Sequence, residues 1–341
     1  MTRKVLPLLA LAALCACSPA YVARSAAGHA GLLWRRRSIA ETVADPKTPP
    51  ELRRKLQLAL DVRRYAFATL ALKRSHVYET WTPVPGPAVT WLVSASERAR
   101  LEPHLFRFPL VGAFPYKGYF RKDLAKSEAA EFEKNGYDAT VSGASAYRTP
   151  LIISDPLPET LLRDTDGGLA ETLIHELTHG TVYFKNQTDF DEAVAVWAGE
   201  RGAEQFLTER YGADSAEMKE WKDDKELGRK YDAFYAELRE RLKAVYDGPG
   251  SDADKLERRK AVFDWGRDRA KTDGLRVPDP LNNAVVLAHD LYAPDPAPFD
   301  ALFAASGRDW AKTIAALKAL DRRDPLGALR RAAAAPASPP P

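Results

Sequence analysis

Two imidazoles four residues apart flank a carboxylate in the run His175-Glu176-Leu177-Thr178-His179. On an α-helix, positions four apart share a face, so His175 and His179 can place both rings on one metal ion. Glu176 lies one step further round. It points beside such an ion, where a carboxylate can take a proton from metal-activated water. From residue frequencies the pattern arises by chance in about one chain of this length in a hundred. Leu173, Ile174 and Leu177 would bury the helix and keep the site partly dry.

A catalytic zinc takes three protein ligands and leaves one position open. The later carboxylates are Asp189, Asp191, Glu192, Glu200 and Glu204. Ala195, Val196, Gly199, Ala203 and Phe206 share the helical face that Glu192 heads. That face is small and apolar, and Gly199 and Ala203 would let two helices approach closely. A carboxylate at its head is costly to bury unless it is paired or metal-bound. Glu200 lies about 80° away and Glu204 further still, so both read as exposed or supporting groups. Asp191 points elsewhere, and Asp189 is placed to cap the helix. Glu192 is therefore the expected third ligand. Glu171, four before His175, reads either as a supporting group behind the ligands or, more simply, as a solvated helix residue. His29, His76 and His104 have no partner at ligand spacing.

Periodicity gives the elements that must position these groups. Residues 51 to 72 read as a helix with Leu52, Leu56, Ala59, Leu60, Arg63 and Phe67 on one side. Residues 76 to 120, rich in aromatic and β-branched types broken by Gly and Pro, read as short strands. Residues 123 to 135 read as a helix. The stretch 138 to 155 reads as strand, turn and strand, and Tyr147 to Asp155 is a candidate edge strand for pairing with a peptide. Residues 168 to 184 and 190 to 211 form two helices joined by a polar loop. Residues 215 to 272 form a long charged helical hairpin turning at Gly248-Pro249-Gly250. It is expected to cover the site domain. Two further helices fall within 281 to 320. The expected class is α+β, mostly helical, with a small mixed sheet.

The chain has 341 residues and a net charge of +3, with acids and bases interspersed. The one isolated basic block is Arg35-Arg36-Arg37, so the composition does not point to a nucleic-acid binder. Arg3 and Lys4 precede the apolar run "VLPLLALAAL", which is too short to span a bilayer. Leu14-Cys15-Ala16-Cys17 then resembles a bacterial lipoprotein signal. Cleavage before Cys17 would remove residues 1 to 16 and leave Cys17 as the acylated N-terminus. Bulky Leu14 would precede the cut if Cys15 were the acceptor. Several acyl chains anchor stably where one does not. Ser18, by resemblance to sorting rules, favours the outer membrane facing the periplasm. Residues 17 to 50 would be an anchor-proximal segment, 51 to 330 the catalytic domain and 331 to 341 a disordered tail.

A His-Glu-x-x-His run followed by Glu on the next helix resembles the gluzincin group of zinc peptidases. "FDEAVAVWAGERG" is similar to that group's "NE-x-x-A" pattern, with Asp191 where Asn is common. More closely, the chain resembles the putative aminopeptidase family of bacterial lipoproteins. "ADPKTPPELRRKL", "FPLVGAFPYKGYF", "AYRTPLIISDPL", "IHELTHGTVY", "FDEAVAVWAGERG" and "LNNAVVLAHDLY" echo family blocks in order. The resemblance implies a zincin-like peptidase domain, Zn²⁺ as cofactor, a peptide substrate and aminopeptidase action. It also implies an oxyanion-stabilising Tyr or His, with Tyr292 the candidate and His289 its competitor. The family commonly has two cysteines where this chain has Arg107 and Ala113. The competing expectation is a non-catalytic envelope lipoprotein with a structural or binding zinc site, which would have no use for Glu176 as a base.

Overall fold

A computed structural model describes residues 19–108, 112–145, 155–289 and 295–334. Helix predominates over strand, as the α+β reading requires. The contacts divide the chain into two units. Among the described residues, the first comprises 19–36, 82–145 and 227–289, and the second comprises 37–81, 155–226 and 295–334. Three separate chain segments build each unit.

The first unit begins with α1 (Pro19–Trp34), part of the stretch read only as an anchor-proximal segment. Short strands β1 (Arg37–Ser38) and β2 (Thr80–Thr82) mark the crossing into and out of the second unit. The main sheet of the first unit has β3 (Thr90–Glu97) at its centre. It is flanked antiparallel by β6 (Lys117–Tyr119) and β7 (Tyr137–Ala144), with Trp91 opposite Tyr119 and Val93 opposite Val141. Val93, Ala95 and Ala139 pack against Ala125 and Ala129 of helix α4 (Lys122–Lys134), with Phe106 completing the cluster. A separate pair joins β4 (Phe106–Phe108) to β5 (Gly112–Phe114), and it opposes Arg107 to Ala113. Arg107 and Ala113, the two positions at which the resemblance implies cysteines, are thus direct cross-strand partners.

The charged hairpin is confirmed as α7 (Ala216–Tyr246) and α8 (Asp252–Thr272). Ser251 starts α8 with a capping box, accepting from Asp254 N while the Asp254 carboxylate accepts from Ser251 N. Phe234, Leu238 and Leu242, four apart on one side of α7, are buried against Phe263 and Ala270. Leu227, seven residues before Phe234, remains exposed. These residues pack within the first unit, with Val285 and Val286 of the short helix α9 (Asn283–Ala288). The site motif lies in the other unit. Of the hairpin, only the first turns of α7, up to Glu226, belong to the unit that holds the site motif. Buried Asp138 of β7 receives two hydrogen bonds from Arg259 and one from Asn283 N. The Asn283 amide in turn donates to the Glu97 and Arg100 carbonyls, both at 2.9 Å. This gives the "LNNAVV" block a structural role.

The second unit contains α2 (Ile39–Ala44), α3 (Pro50–Ala68), β8 (Leu157–Pro158), a 3₁₀ turn (Glu159–Arg163), α5 (Asp166–His179) and α6 (Thr188–Tyr211). It also contains α10 (Ala297–Ala305), α11 (Trp310–Lys318) and α12 (Pro325–Ala334). β2 lies between β1 and β8. α3 buries Leu56, Ala59 and Arg63 as expected, but its core face also takes Lys55, Leu58, Val62 and Ala66. The two buried cations are paid for by partners: Lys55 reaches Asp166, and Arg63 donates to the Val77 and Ser75 carbonyls. The described residues of 281 to 320 hold three helices where two were expected. α12 runs four residues into the expected tail, whose remainder lies outside the described residues, as do residues 1 to 18 with the expected signal and Cys17. Among the described residues no helix is long and apolar enough to cross a membrane.

Candidate metal centre

α5 starts at a Thr165 cap, whose hydroxyl accepts from Gly168 N at 3.0 Å. It buries Leu169, Ala170, Leu173, Ile174 and Leu177. It stops at His179, five residues before the expected end. The Thr181 and Val182 amides fold back onto the Thr178 carbonyl, and buried Asp191 accepts from Phe184 N at 2.9 Å. Burial pushes the Asp191 carboxyl up, only partly opposed by that amide. Asp191 thus shapes the turn-back between the helices, its carboxylate engaged by the Phe184 amide. Asp189 is exposed in the first turn of α6, and the cap position belongs to Gln187, so the expected Asp189 cap is not formed.

α6 lies tightly on α5. A Cβ at Gly199 would stand 3.0 Å from the Glu171 carbonyl oxygen and 3.2 Å from His175 Cβ. One at Gly202 would stand 3.1 Å from the Ile174 side chain. The other side of α6 is held by Trp197, stacked on Phe299 and bonded to Asp300 at 3.0 Å. The close approach brings Glu192 to the two histidines. His175 Nε2 and His179 Nε2 are 3.2 Å apart, and each lies 3.5 Å from one oxygen of Glu192. Hydrogen bonding from the two imidazoles holds the Glu192 carboxyl well below the usual carboxylate range, against a smaller opposing effect of burial. Among the described residues these three form the one group with metal-ligand geometry.

The donor set fits zinc. Two imidazole nitrogens and a carboxylate oxygen at tetrahedral zinc distances would lie about 3.4 Å from one another. The separations here are 3.2, 3.5 and 3.5 Å. The histidine side chains are 22% and 11% exposed and that of Glu192 is 43% exposed, so the group opens to solvent on one side. Glu176 is half-buried on α5 beside His175.

Behind the ligands lies a network that no sequence pattern announces. Lys225, on the first turns of α7, donates to Glu171 at 2.9 Å and pairs with Glu200. Trp221 Nε1 donates to Glu171 at 2.8 Å. Burial opposes the charge on Lys225, but the two carboxylates outweigh it and raise its pKa. Glu171 is therefore not the solvated residue expected, and Glu200 is bound to a cation away from the ligand group. Glu204 pairs with Arg201 at 3.1 Å. At the start of α5, Asp166 accepts from Arg54, Lys55 and Tyr211 at 2.7, 2.8 and 2.9 Å.

Residues 20–333 match a family described as putative aminopeptidase. The chain belongs to that family. Membership points to peptidase chemistry on peptide substrates. No curated protein and no solved structure matches the chain. In this family member His289 caps α9 in the first unit, stacked on Tyr235 at 4.0 Å and 3.3 Å from Asp232. Tyr292 lies outside the described residues, as does most of the candidate edge strand from Tyr147. His76 bonds to Glu79, and His104 packs among Phe106, Phe132 and Tyr137.

Proposed function

We propose that the protein is a zinc-dependent peptidase of gluzincin type, acting as an aminopeptidase. The observation that carries this reading is the convergence of His175, His179 and Glu192 at 3.2 to 3.5 Å with Glu176 adjacent. The first three would hold Zn²⁺. When bound, Zn²⁺ supplies Lewis acidity toward a peptide carbonyl and toward water. The Glu176 carboxylate accepts a proton from the attacking water and returns it to the leaving amine nitrogen. Glu192 contributes a second negative charge beside the histidines, and the apolar flank of α5 limits water behind them. Tyr292 is the proposed oxyanion donor, on family resemblance.

The competing reading is a non-catalytic lipoprotein with a structural or binding zinc site. Three converging donors and a solvent-open side support the catalytic form, since structural zinc sites close with four ligands. An acyl anchor on Cys17 would hold the enzyme on the periplasmic face of the outer membrane. The test is cleavage of matched peptides with free and acetylated N-termini by zinc-loaded protein. Aminopeptidase action requires cleavage of the free peptide only. Equal cleavage of both would make the enzyme an endopeptidase, and cleavage unaffected by Glu192→Ala would remove this site from the reaction.

A further inference from the structure

α1 leaves a large apolar side chain in water beside a cationic pair. Trp34, its last residue, is 92% exposed, more than any other large hydrophobic among the described residues. An exposed indole leaves roughly 150–250 Å² of mostly apolar surface without a partner. Arg35 and Arg36 follow directly, and both are exposed. Arg35 Nε donates to the Gly31 carbonyl at 3.0 Å, which holds that guanidinium alongside the helix end. The side of α1 that carries Trp34 bears no charged residue back to Ala20, and Arg24 stands at its flank. The opposite side is the packed one, where Leu32 is buried.

The chemistry of this end selects its occupant. An indole settles at the headgroup level of a bilayer, and guanidinium groups beside it are drawn to anionic lipid. Each basic group near such a surface strengthens binding about fivefold. Cys17 stands two residues before α1, and a 16-residue helix extends about 24 Å. Trp34 therefore lies about 24 Å along α1 from its first residue, on a side that can lie along one plane.

We propose that Trp34, Arg35 and Arg36 form a second membrane contact, which binds an anionic lipid surface and lays α1 along it. The proposal rests on the anchor reading of Cys17 only for bringing the helix to a membrane; the contact itself needs no acyl chain. The test is sedimentation of the mature chain carrying Cys17→Ser with two kinds of vesicle. One is pure phosphatidylcholine, and the other is a phosphatidylcholine and phosphatidylglycerol mixture. Binding to the mixed vesicles alone, weakened by salt, is expected. Arg35→Gln with Arg36→Gln should weaken it about 25-fold, and Trp34→Ala should weaken it further. All three side chains are exposed, so circular dichroism should not change. Equal binding to both vesicles, no binding to either, or a triple variant that binds as tightly as its parent overturns the proposal. A natural chain whose mass shows no acyl group overturns the anchor reading and leaves this contact standing.

Discussion

Single residues decide whether α5 and α6 can share an ion. His175, His179 and Glu192 were all legible in the sequence because ligand spacing on a helix is periodic, and because Glu192 heads the small face of α6. Gly199 was legible for the same reason, and the contacts at its missing Cβ show what it permits. Gly199→Val would push against the Glu171 carbonyl and the His175 side chain. It should weaken zinc binding at least about tenfold and lower stability by about 1–3 kcal/mol, checked by chelator competition and denaturant unfolding. An unchanged zinc affinity would show that the helices are not held at their limit. Glu171 was misread, because its partners Trp221 and Lys225 are 50 and 54 residues away and follow no period. Glu192→Ala should abolish stoichiometric zinc by elemental analysis, while Glu200→Ala should retain it, since Glu200 serves Lys225.

At the level of elements, the start of α7 ties the ligand helices together. Lys225 places one ammonium between Glu171 of α5 and Glu200 of α6. Without it, two carboxylates would oppose each other across the helix pair and drive the helices apart. Lys225→Met should therefore weaken zinc affinity about tenfold. Adding Glu171→Gln and Glu200→Gln should restore much of that loss by removing the repulsion. If the triple variant binds zinc as weakly as Lys225→Met, the effect is lost packing and not charge. The β4–β5 pair permits a second test. Opposed residues of an antiparallel pair have Cα atoms about 4.5–5.5 Å apart, within disulfide reach. Arg107→Cys with Ala113→Cys should form an intramolecular disulfide under oxidation, seen as a thiol count of zero for that pair. The helices were legible from apolar spacing. The end of α5 was not, because Asp191 and backbone turns set it after the apolar pattern had already run on to Phe184.

The whole molecule shows what sequence patterns do not carry. The division into two units comes from interleaved segments, and pairing between distant segments has no local signature. Stability at low pH belongs to this scale because one carboxylate joins three elements. Burial would push Asp166 up, but hydrogen bonds from Arg54, Lys55 and Tyr211 outweigh it and set its pKa at about 2. The unfolded value is about 3.9. The stabilisation is thus complete above about pH 5 and is lost as pH falls toward 2, a change of roughly 2 kcal/mol. Denaturant midpoints across that range should fall for the parent chain, and Asp166→Asn should flatten the fall while lowering stability near neutral pH. A parent curve no steeper than that of the variant would refute this.

Whether Glu176 is the base of a zinc peptidase is decided by Glu176→Gln in protein that retains one zinc per chain. Peptide cleavage should fall about 10²- to 10⁴-fold with zinc content unchanged. Cleavage at the parent rate by the zinc-loaded variant would remove Glu176 from the reaction.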